Sequence, residues 1–348
     1  MTASLLDSTA LITDPALAFV APALDPHWIT PQLQQALGRP VTLQSLRVMR
    51  HKPGRRCLIA YEVAFADGFP PMTLLGKVRS RGLDTPSYGL QTQLWQQGFD
   101  DASPDGISVP EPLGTIPEVQ MWLQRYIPGT LATQALAQPQ SVSLCPKIAA
   151  AIAKLHRAGV PTRKRHTPAD ELRILEARIP LVLQHFPDWE PRLEALQQRC
   201  IALAQWLPAA TPTGIHRDFY ADQVLVSGAA NRDRLYLLDL DLYCEGDPAL
   251  DMGNFVAHLT EQSLRTHGHL HGFAAQEAAL SEAFCRFTGA SAIAVQIYKL
   301  LTLVRHLSIS AQMPERRGIT PILLHLCEAS LAAAIGGDWG RSGESRGD

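Results

Sequence analysis

Three carboxylates in the second half of the chain stand where they could do chemistry. Asp218 lies just before a short apolar strand candidate, and Asp239, 21 residues further on, ends a second candidate together with Asp241. If these strands pair as a hairpin, Asp218 and Asp239 come to the same edge. Converging carboxylates can bind a hard divalent cation such as Mg²⁺, or one of them can accept a proton from an attacking hydroxyl. Aspartates that only cap solvated turns would give the same pattern, so the charges alone leave the chemistry open.

The elements that must position these residues change character along the chain. Residues 41–126 alternate short apolar runs with turn residues, which is typical of β-strands, whereas from Pro128–Gly129 onward apolar residues recur at helical spacing. We therefore predict an α+β fold with two lobes: residues 1–128, of which 1–40 form a leading helical or irregular extension, and a mainly helical lobe over 129–348. The predicted strands are 41–51, 57–65, 72–80, 109–116 and 119–127, and the predicted helices include 87–99, 142–159, 171–186, 190–207 and much of the segment from about 274 to 335.

The composition indicates a globular chain and excludes several classes of protein. Of its 348 residues 46% are hydrophobic, and 31 basic against 33 acidic residues give a formal net charge of −2. A nucleic-acid binder would normally carry a basic surplus, so we expect no nucleic-acid partner. No stretch of about 18 apolar residues runs uninterrupted, so we expect no membrane span. The N-terminal residues lack a cationic leader and the six cysteines form no CxxC pair, which favours reduced thiols and a cytoplasmic location.

The residue order around the carboxylates is more specific than their charge. The chain reads HRDFYADQ from His216 to Gln223 and LLDLDLYCEGDPALD up to Asp251. This order resembles the aminoglycoside phosphotransferase and choline kinase-like family of small-molecule kinases, which share the protein-kinase fold and follow HxDxxxxN and then IDxxxxxxGDPxxD. The resemblance implies a two-lobed fold with a small antiparallel sheet in the first lobe. It also implies an enzyme that uses ATP and Mg²⁺ to move the γ-phosphoryl group to a hydroxyl of an aminoglycoside-, choline- or sugar-like small molecule.

The resemblance assigns roles to the residues of the acidic segment. Asp218 corresponds to the catalytic base, and His216 to the catalytic-loop histidine, which we expect to hold the loop by hydrogen bonds. Asp239 corresponds to the Mg²⁺ ligand that bridges the nucleotide phosphates, and Asp241 is a further candidate metal carboxylate or a solvated strand end. Gln223 stands where the family has a metal-binding Asn, with the same carbonyl oxygen on a side chain one methylene longer.

The first lobe would then supply the nucleotide contacts. Lys77 lies on the third strand candidate, where kinases place the lysine that pairs with the α- and β-phosphates, although an exposed edge lysine would look the same. Lys52 and Arg55 lie in the hairpin turn that the family folds over the phosphates. Gln124 and Tyr126 lie at the place of the adenine-binding hinge, where contacts come from the backbone.

Two departures from the family pattern leave a second function open. Gln223 replaces the usual Asn, and the helix after Lys77 has no acidic residue to pair with that lysine. Lys77 would be positioned either by a weaker amide hydrogen bond or by another element. The alternative function is therefore a catalytically weak or inactive kinase-fold protein that binds nucleotide or regulates. In either case we expect a monomer or a homodimer.

Overall fold

The structure is a computed structural model that describes residues 13–66, 68–138, 140–228 and 234–335. The chain divides into two compact units. The first comprises the described residues up to Gly129 together with the segment Ser227–Leu240, and the second comprises Thr130–Val226 and the residues from Asp241 onward. The chain thus leaves the first unit, returns to it for one short segment and leaves it again.

A five-stranded antiparallel sheet forms the framework of the first unit, in the order β1-β2-β3-β6-β5. The β1–β2 hairpin turns through Pro53 and Gly54, and Gly54 has a φ of 70°, a left-handed conformation that favours glycine. The strands of this sheet are β1 (Val41–Lys52), β2 (Arg56–Phe65), β3 (Met72–Arg79), β5 (Pro112–Ile116) and β6 (Met121–Arg125).

Two helices accompany this sheet. Helix α1 (Pro26–Leu37) begins after Asp25, whose carboxylate accepts a hydrogen bond from the N–H of His27. Ile29 and Leu33 of this helix pack into the same apolar core as Leu74, Val78, Met121 and Leu123 of the sheet. Because side chains alternate along a strand, the residues between these, including Lys77, Trp122 and Gln124, lie on the opposite face. Helix α2 (Thr85–Gln96) is capped by Asp84.

The returning segment is tied into the first unit by strand pairing and by side chains. The short strand β4 (Ile107–Ser108) pairs in parallel with β10 (Arg234–Leu237). The Arg234 guanidinium donates to the backbone oxygens of Asp100 and Ser103 and to the hydroxyl of Ser108. The Tyr236 hydroxyl donates to Asp101 at 2.8 Å. These contacts fix the position of Asp239, which follows directly.

The second unit is mainly helical. Its helices are α3 (Ala132–Ala135), α4 (Cys145–Arg157), α5 (Pro168–Leu183), α6 (Glu190–Ala204), α7 (Pro248–His267), α8 (Ala274–Thr288), α9 (Ala292–Gln312) and α10 (Thr320–Ile335). Two short antiparallel pairs join β7 (Thr130–Leu131) to β9 (Val224–Ser227) and β8 (Thr213–Ile215) to β11 (Cys244–Gly246). Helix α9 packs against α5, α7 and α10.

Helix α9 is also long and apolar enough to cross a membrane by length and composition alone. In the described structure 67% of its most apolar stretch is buried among the other helices, which is typical of a core helix. A single helix of this kind is weak support for a membrane span.

The α+β class and the division into two lobes predicted from the sequence are confirmed, and the differences lie at element ends. The predicted strand 109–116 is shortened to β5, because its first three residues follow the short strand β4 without being part of a strand, and the strand predicted from 119 starts at Met121 because Pro117–Val119 form a 3-10 turn. Helix α7 starts at Pro248, because the Asp247 side chain caps it. Residues 1–12 of the predicted extension, and residues 229–233 between the two strand candidates beside the carboxylates, lie outside the described residues.

Candidate active site

One buried carboxylate, Asp251, holds the loop that carries Asp218. Its Oδ1 accepts a hydrogen bond from the backbone N–H of Arg217 at 2.7 Å, and its Oδ2 accepts one from the N–H of His216 at 2.8 Å. His156 Nε2 lies 2.8 Å from the same Oδ2. Arg217 has a left-handed backbone with a φ of 70°, which is uncommon for a residue other than glycine. These bonds compensate that conformation and present Asp218 at a defined place.

A second anchor comes from the next turn of α7. Asn254 Nδ2 donates to the backbone oxygen of Phe219 at 2.8 Å, and the Arg305 guanidinium donates to the other side of the Asn254 amide. Arg305 also lies 3.4 Å from Glu171, whose second oxygen is 2.6 Å from His166. Asp251 and Asn254 are three residues apart, so they share one face of α7 and grip the loop on either side of Asp218.

The two loop residues assigned from the sequence have different surroundings. Asp218 is half-buried, between the two anchored backbone positions. His216 is fully buried and its ring lies 5.7 Å from that of Phe219. Asp218 is therefore placed to meet a ligand, whereas His216 belongs to the packing that holds the loop.

The two further metal candidates of the second unit lie in short 3-10 turns. Gln223 ends the turn Ala221–Gln223, is buried, and donates its backbone N–H to Tyr220 at 2.9 Å. Asp241 lies in the turn Leu240–Leu242, and the Lys164 ammonium donates to its backbone oxygen at 3.2 Å. Asp239, by contrast, belongs to the first unit.

Asp239 carries an oxygen that is suited to a cation. Its Oδ1 is buried and has no hydrogen-bond partner in the part of the chain that the structure describes. Its Oδ2 lies 3.7 Å from Arg56, and its negative charge acts to raise the pKa values of Lys77 and Lys52. Its backbone is left-handed, with a φ of 56°.

A magnesium ion fits this carboxylate. Burying an ionised oxygen without a partner costs free energy, and Mg²⁺ would supply the missing partner. Within the described ranges no group of three or more His, Cys, Asp and Glu side chains could hold a metal ion. That agrees with Mg²⁺, which is usually held by one or two carboxylates together with phosphate oxygens rather than by a protein cage.

Lys77 lies on the face of the sheet opposite the apolar core. Its ammonium is 4.5 Å from the centroid of the Trp122 ring, and the two residues are directly opposite in the β3–β6 register. Burial lowers the pKa of Lys77 to about 8, and the charges of Asp239 and Asp84 oppose that shift. The lysine that the sequence singled out is therefore half-buried on a central strand rather than exposed at a sheet edge.

Helix α2 offers Lys77 no amide in place of the missing carboxylate. Gln91 is buried, and its Nε2 donates to the backbone oxygen of Pro110 at 2.6 Å and to Gln124 Oε1 at 3.1 Å. The other glutamines of this region, Gln93, Gln96 and Gln97, are exposed. The contact to Lys77 comes instead from another element, strand β6.

The remaining nucleotide candidates lie at two places in the first unit. Lys52 is half-buried, and burial together with neighbouring arginines lowers its pKa, whereas Arg55 is exposed. The side chain of Gln124 is engaged by Gln91, and Tyr126 is exposed with its N–H donating to Thr73. A backbone hydrogen bond from Tyr126 to an adenine would therefore use its carbonyl oxygen.

Asp14 is a site residue that the sequence reasoning missed. Its Oδ2 accepts a hydrogen bond from the N–H of Gly54 at 2.8 Å and lies 2.8 Å from His51 Nε2, so it holds the turn that carries Lys52 and Arg55. The hydrogen bond from Gly54 lowers the pKa of this carboxyl. No sequence signal points to it, because Asp14 is 40 residues from Gly54. Asn254 was also missed, although its place three residues after the last residue of GDPALD was a usable signal.

Solved structures of similar fold are small-molecule kinases. A protein assigned as an aminoglycoside phosphotransferase from Ralstonia eutropha superposes with a TM-score of 0.63 at 12% identity, covering 90% of this chain and 98% of that one. A glucosamine kinase in complex with glucosamine, ADP and inorganic phosphate superposes with a TM-score of 0.57 at 16% identity, covering 90% of this chain and 87% of that one. A choline/ethanolamine kinase family protein from Mesorhizobium loti superposes with a TM-score of 0.52 at 15% identity, covering 92% of this chain and 98% of that one.

Sequence comparison settles the family. No curated protein matches this chain. The model of the phosphotransferase enzyme family, APH, matches residues 91–289, which is more than half of the chain and includes the loop of Asp218, Asp239 and the anchors Asp251 and Asn254. The resemblance seen in the motif is confirmed: the chain belongs to the phosphotransferase enzyme family and is a small-molecule kinase.

Proposed function

We propose that this protein transfers the γ-phosphoryl group of ATP to a hydroxyl of a small molecule, and that it does so with Mg²⁺ in the cytoplasm. The observation that carries the proposal is the loop of Asp218, which is held on both sides by Asp251 and Asn254. A rigidly held carboxylate on such a loop suits a base that orients an acceptor hydroxyl.

We assign each of the proposed site residues a separate role in the reaction. Asp218 accepts the hydrogen bond of the acceptor hydroxyl and takes its proton as the hydroxyl oxygen bonds to the γ-phosphorus and the bond to the β-phosphate oxygen breaks. Lys77 offsets the charge of the α- and β-phosphates, and Lys52 and Arg55 add positive charge at the hairpin turn. Mg²⁺, with Asp239 as its ligand and Gln223 and Asp241 as further candidate oxygen donors, would neutralise the phosphate charge.

Two further observations support the donor, the acceptor class and the compartment. The glucosamine kinase of similar fold was solved with its sugar and ADP, which supports a nucleotide donor and a sugar-like or amino-alcohol acceptor here. The six cysteines are free and five of them are buried, which suits a reducing compartment.

The test compares Asp218→Asn with the unaltered protein. We expect MgATP to bind both with similar affinity in calorimetry, while phosphoryl transfer to a panel of amino sugars, neutral sugars and choline-like alcohols falls at least roughly hundredfold in the variant. Asp188→Asn, at an exposed aspartate of the second unit, is the matched control and should leave both properties unchanged.

Two results would contradict the proposal. Undiminished transfer by Asp218→Asn would remove the assigned base. Binding of MgATP without transfer to any acceptor of the panel would favour the alternative of a kinase-fold protein that binds nucleotide.

A further inference from the structure

An aromatic ring takes the place beside Lys77 where a carboxylate would be expected. The Lys77 ammonium lies 4.5 Å from the ring centroid of Trp122, and the strand register keeps the two side chains on the same face. The face of an indole ring is electron-rich and attracts a cation more strongly than other aromatic side chains do. Trp122 is only 2% exposed, so its ring is fixed by its surroundings.

Helix α2 contacts this ring from its own side. The ring of Tyr88, in the first turn of the helix, lies 5.9 Å from that of Trp122 at an angle of 59°. One turn later, Gln91 is hydrogen-bonded to Gln124, two residues beyond Trp122 on the same strand face. The helix is thus joined to the lysine through aromatic contacts, in the order Tyr88, Trp122, Lys77.

Helix α2 has no carboxylate that could pair with the Lys77 ammonium. The helix sequence, TPSYGLQTQLWQ, contains no Asp or Glu. Asp84, just before it, caps the helix through the N–H of Ser87 and lies 3.1 Å from Arg79.

We propose that Trp122, braced by Tyr88 of α2, is the residue that positions the Lys77 ammonium for the nucleotide phosphates. The inference rests on the proposed function for the identity of the ligand. A carboxylate would orient a lysine and also neutralise it, whereas an aromatic face orients the ammonium and leaves its full positive charge for the phosphates. This chain would therefore need no helix carboxylate to keep Lys77 in place.

The test compares two replacements of the indole that differ in one property. Trp122→Phe keeps an aromatic face, whereas Trp122→Leu fills similar space without one. We expect Trp122→Leu to weaken MgATP binding about tenfold and Trp122→Phe to weaken it no more than about threefold, as the strength of a partly desolvated cation–π contact suggests. Adenosine, which has no phosphates, should bind all three proteins equally. Trp206→Leu, at an exposed tryptophan of the second unit, is the control.

A purely structural role for Trp122 would give different results. The two variants would then be impaired equally, or adenosine binding would fall together with MgATP binding. In a Lys77→Met background, Trp122→Leu should cause no further loss, and an additional tenfold loss there would overturn the inference.

A readout that needs no nucleotide separates this inference from the proposed function. Acetylation of Lys77 by a neutral reagent can be followed by peptide mass spectrometry across pH. The ring favours the charged ammonium, so its loss in Trp122→Leu should make Lys77 reactive toward the reagent at lower pH. The shift of the pH profile should be smaller in Trp122→Phe, which keeps an aromatic face. Identical profiles would overturn the inference even if MgATP binds, whereas shifted profiles without MgATP binding would overturn the proposed function alone.

Discussion

Asp251 holds the backbone of the Asp218 loop from a fully buried position. Its two oxygens meet two backbone N–H groups and His156 Nε2. A buried carboxylate is costly unless such partners surround it, and hydrogen bonds to an ionised acceptor are among the strongest in proteins. Its acceptor capacity therefore sets where Asp218 stands.

Replacing Asp251 by Asn should reveal this dependence. One oxygen becomes an NH₂ group that faces a backbone N–H, so one buried donor loses its acceptor, at a cost of about 1–3 kcal/mol. We expect a lower melting temperature and a turnover number reduced at least about tenfold, with MgATP affinity little changed. Steady-state kinetics and calorimetry check this.

The matched control for Asp251 is Asp247→Asn in the same helix turn. Asp247 caps α7 through the N–H of Ala249, and Asn serves as well as Asp at that position. Equal loss of turnover in both variants would contradict the special role of Asp251.

For single residues, the sequence predicted a role where the residue lies in one short motif together with the others of the proposed site. Asp218 and Asp239 could be proposed as site residues because one motif, which Asp251 ends, contains them both, and their roles stay predictions. Trp122 and Asp14 could not, because their contacts depend on strand register and on a loop from a distant part of the chain. No periodicity predicts which ring lies beneath a lysine.

Among the elements, α7 and α9 leave no room for a side chain at Gly253. A Cβ atom built there would lie 2.5 Å from Tyr298 Cβ and 2.8 Å from the backbone nitrogen of Lys299. Backbone cannot yield as a flexible side chain can, so only glycine fits between these helices. This contact lies one residue before Asn254, which holds the catalytic loop.

Gly253→Ala should therefore destabilise the protein, by about 1–3 kcal/mol for overpacking of this kind. Gly89→Ala is the control: it also lies in a helix, but nothing lies within 4 Å of its added Cβ. Alanine is the better helix former, so this variant should be more stable by up to about 1 kcal/mol. Thermal unfolding of the two variants should shift in opposite directions, and shifts in the same direction would contradict the packing argument.

Element boundaries show why periodicity predicts helices better than it predicts their ends. Apolar spacing located α2, α4, α5 and α6, but where a side chain caps a helix, the cap decides which residue is first. Asp84 and Asp247 each start a helix a few residues before the first apolar residue that the pattern recognises.

On the scale of the whole molecule, the buried His306 and the half-buried His258 beside it make stability depend on pH. The rings of His258 and His306 lie 4.3 Å apart in the second unit. Burial, with the positive charges of Arg305 and Arg316 nearby, lowers the pKa of His306 to about 3 and that of His258 well below its usual value. Both are neutral in the folded protein at pH 7.

Acidification should accordingly destabilise the fold in a defined window. Between about pH 6.5 and pH 3 the unfolded chain binds a proton at His306 that the folded chain does not, so stability falls as the pH falls. We expect His306→Phe, which cannot titrate, to lose less stability over this range, by up to about 1.4 kcal/mol per pH unit. Denaturant unfolding at pH 7.5, 6.0, 5.0 and 4.5 measures the difference, and parallel curves would contradict it.

The return of Ser227–Leu240 to the first unit has a consequence for synthesis on the ribosome. The partner strand of β4, the clamp made by Arg234 and the carboxylate of Asp239 all come from this late segment. Domains tend to fold in the order in which they are translated, but here the earlier unit stays incomplete until nearly a hundred residues of the later one have been made. Strand β4 must wait for its partner strand through that interval, so the first unit is completed late in translation, after the Asp218 loop has already emerged.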